Sequence, residues 1–120
     1  MLKLTPTPTE PTWLDLLPGV RVLLKPSTVA MILTARAAAT DVYRTELAKG
    51  EGERDPDVSV HAAIAMVGTY ARLRILDWEG VGDDAGEPVP VTVETLEAAL
   101  NLPPFYSAVD QIVLAPAMAA

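Results

Sequence analysis

A chain of 120 residues is one ordinary domain in size, long enough to bury roughly two-thirds of the surface its unfolded form exposes. It contains no cysteine and a single histidine, His61, which excludes disulfides, thiol nucleophiles, thiolate zinc sites and iron–sulfur clusters and leaves little acid/base chemistry. Nine Lys and Arg against sixteen Asp and Glu give a net charge of −7, which argues against nucleic acid or an anionic membrane as partner; with 50% apolar but only 5% aromatic residues, the core must come from Ala, Val, Leu and Ile.

Residues 1–12 form an extended, Thr-Pro-rich lead-in without the apolar stretch of a secretory signal, and residues 13–120 read as a single helical domain without internal repeats. Trp13 to Leu17 and Val20 to Lys25 flank Pro18-Gly19, the pair that a type II turn wants at its centre, so a short hairpin is expected. Val20, Val22 and Leu24 share one face of its second strand, with Arg21, Leu23 and Lys25 on the other. That turn type fits a two-residue hairpin poorly, which leaves room for a bulge.

A long helix follows from about Ser27 to Ala48, opened by Pro26-Ser27-Thr28. Val29, Ile32, Leu33, Ala35, Ala39, Val42 and Tyr43 recur at helical steps, Lys49 suits the C-terminal dipole, and Gly50 can take a left-handed cap. The longest apolar stretch, Val29 to Ala39, is broken by Thr34 and Arg36 and falls short of the ~20 residues a bilayer needs. Asp55-Pro56-Asp57 restarts helical order, with Asp55 as N-cap and Pro56 first in the helix, and Val60, Ile64, Val67, Ala71, Ile75 and Trp78 continue the spacing. Two long helices on a short loop should pack antiparallel.

Glycines and prolines after Trp78 end helical order, and Trp78 to Val81 with Glu87 to Val91 are compatible with a second small hairpin, kept at a sheet margin by Pro88 and Pro90. Thr92 caps a short helix, Val93 to Asn101. A last helix, about Pro104 to Ala115, places Phe105, Val109, Ile112 and Val113 on one side, and Pro116 ends or kinks it. The expected fold is thus mainly α within an α+β class: a central antiparallel pair of long helices, a small N-terminal β-hairpin, a second hairpin near 78–91, and two short C-terminal helices.

No catalytic, cofactor or metal residue is assigned. His61 and Asp57 are four apart on a helix, a spacing that lets a carboxylate orient an imidazole, but no nucleophile stands in line and the pair reads as structural. Asp83, Asp84 and Glu87 lack the alternation of an EF-hand and read as a solvated turn. Glu51, Glu53, Asp55 and Asp57 gather at one helix junction, where they serve either as a docking patch for a basic partner or as dipole complements and loop solubilisers. Trp13 is either a partner hot spot or a core residue; Trp78 reads as core. Trp13, Glu51, Glu53, Asp55 and Asp57 are therefore the candidate partner-binding residues.

Four segments in order, WLDLLPGVRVLLKP (13–26), VAMILTARAAATDVY (29–43), WEGVGDDAGEPVPVTVE (78–94) and FYSAVDQIVLAP (105–116), carry a resemblance. The pattern resembles the tail assembly chaperones of long, non-contractile-tailed, siphovirus-like phages and their prophages. The resemblance implies a small helical non-enzyme without cofactor that binds the tape measure protein, keeps it soluble and helps recruit tail tube protein. It also implies action in the cytoplasm of the bacterial host and departure before the virion matures. Members of that family exist in a short and a frameshifted long form, and this chain would correspond to the short one. The alternative reading is a small structural virion component, such as a tail completion or connector protein. Ala-rich helix faces are also compatible with a homo-oligomer.

Overall fold

The computed structural model describes residues 1–119 other than Thr5 and Thr7, and the described residues before Thr12 form neither helix nor strand. Strands β1 (Thr12–Leu17) and β2 (Val20–Leu24) form the expected hairpin, with Gly19 at φ +79° in the left-handed position that Pro18-Gly19 anticipates. The misfit between this turn and the strand twist is absorbed by a register shift between Asp15 and Leu17. Val22 and Leu24 are buried on the inner face, and Arg21 is exposed on the outer one.

Helix α1 (Val29–Leu47) starts two residues after the expected Ser27, because the Thr28 hydroxyl accepts the Met31 N–H at 3.2 Å. Ser27, the neighbouring hydroxyl in the same opening, instead shares a 2.6 Å hydrogen bond with the hydroxyl of Tyr70, a fully buried side chain of helix α2 (Val58–Arg74). Gly50 stays at negative φ. Helix α1 closes with a short Lys49 N–H to Glu46 carbonyl bond of 3.1 Å, so the chain leaves without a left-handed residue.

Helix α2 ends earlier than its apolar spacing implies. Ile75 and Trp78 continue its helical spacing, yet the helix stops at Arg74 and Ile75–Glu79 is a strand, β3, paired antiparallel with β2. A reciprocal clamp makes the change abrupt: Lys25 N–H donates to the Arg74 carbonyl and Arg74 Nε to the Lys25 carbonyl, both at 2.8 Å. The sheet is therefore three-stranded, in the order β1-β2-β3. A second shift, where Leu24 faces Ile75 but Leu23 faces Asp77, lets Ile75 and Trp78 both point inward despite their odd separation.

Gly80 then takes φ +85° and lies so close to the first hairpin that a Cβ there would fall 1.8 Å from the Gly19 carbonyl oxygen. The expected second hairpin is reduced to a single bridge between Gly82 and Pro88, plus a Val89 to Val81 backbone bond of 3.2 Å. Asp83 accepts the N–H groups of Ala85 and Glu87 at 3.0 Å, which gives that acidic turn a local structural purpose. The loop is tied inward by Trp78, whose indole donates to the Val89 carbonyl at 2.7 Å and whose ring meets Phe105 edge-on at 6.1 Å.

Thr92 caps helix α3 (Val93–Leu100) as expected, in a box with Thr95 that also reaches the Pro90 carbonyl. The last helix runs α4 (Pro103–Ala108), a π-helical stretch (Val109–Leu114) and α5 (Ala115–Ala119) without a break. Pro116 does not end it. A proline in an α-helix displaces the carbonyl four residues back, and the wider winding, with Ala115 N–H bonded to the Asp110 carbonyl five residues back, makes room for it. The altered winding also changes which residues face inward: Val109, Val113 and Leu114 are buried, and Ile112 is exposed.

Leu16, Val22, Val67, Tyr70, Trp78, Phe105 and Leu114 belong to one core between the sheet, α2 and the C-terminal helix. Helix α1 reaches it through Ala35, with Met31 and Ile32 partly buried against it. Its extensive packing is against α2 alone, and Ala35 is its only buried residue. The molecule is a slab of 51 × 45 × 20 Å with a radius of gyration of 16.2 Å, against about 13.5 Å for a compact chain of this length.

Candidate functional site

The acidic junction lies at the tip of the α1–α2 hairpin, where the chain must reverse within ten residues and a network of side chains holds the reversal. The Glu46 carboxylate accepts the Asp55 N–H at 2.8 Å and the Lys49 ammonium at 2.8 Å. Asp55 accepts the Asp57 N–H at 2.8 Å with one carboxylate oxygen, and its other oxygen pairs with His61 Nδ1. The helix accordingly begins at Val58 with Asp57 as its cap residue, two positions later than the sequence implied, and His61 is oriented by Asp55 rather than by Asp57. A proline after Asp55 favours an Asx-type turn ahead of the helix, which swings the Asp55 carboxylate towards the imidazole.

The ionisation of these groups follows the same contacts. Hydrogen bonds from the Asp55 N–H and then from Lys49 hold the Glu46 carboxyl below its usual range, and the same bond to Glu46 raises Lys49. Asp55 is held low mainly by the Asp57 N–H, with His61 contributing. Glu46 and Asp55 are therefore engaged in closing the loop, whereas Glu51 and Glu53, on a 3₁₀ turn, and Asp57 present their side chains to solvent.

Trp13 lies elsewhere. It stands on the outer face of β1, 37% exposed, with the Arg21 guanidinium 5.0 Å from its ring centroid. Arg21 is shared between Asp15 at 3.4 Å and Glu79 at 3.3 Å, so this face is a small patch in which one cation stands between two carboxylates. The acidic tip is roughly one helix length, ~28 Å, from the sheet end of α1. The two candidate features are separate surfaces.

What the sequence reading missed is the amount of apolar surface left uncovered on the helices. On α1, Val29, Leu33 and Leu47 are 71%, 55% and 69% exposed, and Tyr43 lies with them, along a stripe offset by one residue from the face that meets α2. On α2, Val60 and Ile64 are 53% and 49% exposed and border a groove of about 750 Å³ against the α3–α4 corner, where Leu100 and Tyr106 form the far wall. Burial, with Asp110 adding to it, raises the Tyr106 hydroxyl above its ordinary pKa. The signal was present in the sequence: α2 carries no charge from Ala62 to Ala71, and a helix apolar all round needs cover all round. Among the described residues no group of three or more His, Asp or Glu is placed to hold a metal ion, and no helix is long and apolar enough to cross a membrane. Comparison with known proteins adds nothing further: no family model, no curated protein and no solved structure matches this chain.

Proposed function

We propose that this chain is a tail assembly chaperone of the siphovirus-like type, which binds the tape measure protein in the host cytoplasm, keeps it soluble, helps recruit tail tube subunits and leaves before the virion matures. The reading rests on the order of the four sequence segments. One structural observation supports it: the α1–α2 hairpin is packed on one side only and leaves Val29, Leu33, Leu47, Val60 and Ile64 open to a partner. Apolar side chains on a rigid helix pair cover apolar segments of another chain, and a net charge of −7 on the outside keeps the joint complex dispersed.

Co-expression with the neighbouring long open reading frame tests the proposal. The long product should be recovered soluble and bound only when this chain is present, and Leu33→Asp combined with Leu47→Asp should reduce that recovery. Equal insolubility with and without this chain, and no complex, would sink it. Mass spectrometry of purified particles separates it from a structural virion component, which would persist in stoichiometric amounts.

A further inference from the structure

We draw no further inference here: the strongest candidate, the exposed apolar stripe of Val29, Leu33, Tyr43 and Leu47 along the outer face of helix α1, is an unpartnered surface, and nothing in the structure shows what covers it.

Discussion

Replacing Gly80 by alanine tests the tightest glycine site in the chain. Two effects act together: an L-residue at φ +85° is strained by roughly 1–2 kcal/mol, and a methyl group 1.8 Å from the Gly19 carbonyl oxygen and 2.9 Å from its carbon must push two backbone segments apart. Overpacking of that kind costs about 1–3 kcal/mol, and the loss of unfolded-state freedom returns about 0.4–1 kcal/mol. The net expectation is a destabilisation of roughly 2–4 kcal/mol. Gly86→Ala supplies the control, because Gly86 has nearly the same φ, +81°, with nothing within 4 Å of its Cβ position, so it isolates the conformational part at about 1 kcal/mol. Equilibrium urea denaturation of both variants, with the slope checked for constancy, measures the difference. If Gly80→Ala lost no more than Gly86→Ala, the argument that β3 and the first hairpin are pinned by backbone contact at this point would be wrong.

Two further predictions concern the base and the tip of the helical hairpin. Tyr70→Phe deletes the hydroxyl that joins Ser27 to the buried ring and should cost about 1 kcal/mol in the same denaturation assay; no loss would mean that water replaces Tyr70 without penalty. At the tip, Glu46 and Asp55 are both held below their usual range, so their contribution is complete above the ordinary carboxylate range and is lost as pH falls through the depressed values. The Asp55 amide proton shift should titrate with a midpoint below the ordinary glutamate range, and Glu46→Gln should remove that titration. An Asp55 amide that ignores acidification would show that the Glu46 contact is absent in solution.

The parts of this fold that could be read from the sequence are those whose causes are local. Pro18-Gly19 sets a turn by φ alone, and Thr92 caps a helix with a side chain three residues from its acceptor, so both were anticipated correctly. Strand β3 was hidden because its determinants are not local. Ile75 and Trp78 keep helical spacing, and only pairing with β2 and a register shift make that spacing serve a strand. Pro116 was expected to end or kink the last helix, and its accommodation by a widened winding around Val109–Leu114 was not legible because it depends on how Val113 and Leu114 pack. Of the candidate site, the acidic tip was visible as composition, but which carboxylates were engaged depended on Glu46, a residue nine positions from Asp55. The charge-free run Ala62 to Ala71 announces that α2 needs cover on every side, but not where cover is missing, since the walls of the groove come from α2, α3 and α4.

The 20 Å thickness of the slab has a thermodynamic consequence. At that thickness much of the folded chain lies near one of two broad faces, so a ligand seated on either face holds surface that exists only in the folded form. Occupancy and melting temperature are then linked: at a free ligand concentration a hundredfold above Kd the folded form gains about 2.7 kcal/mol, which in a domain of this size raises the midpoint by roughly 10 °C. A thermal-shift screen therefore reads partner binding directly, without a label and without knowing in advance which face is used.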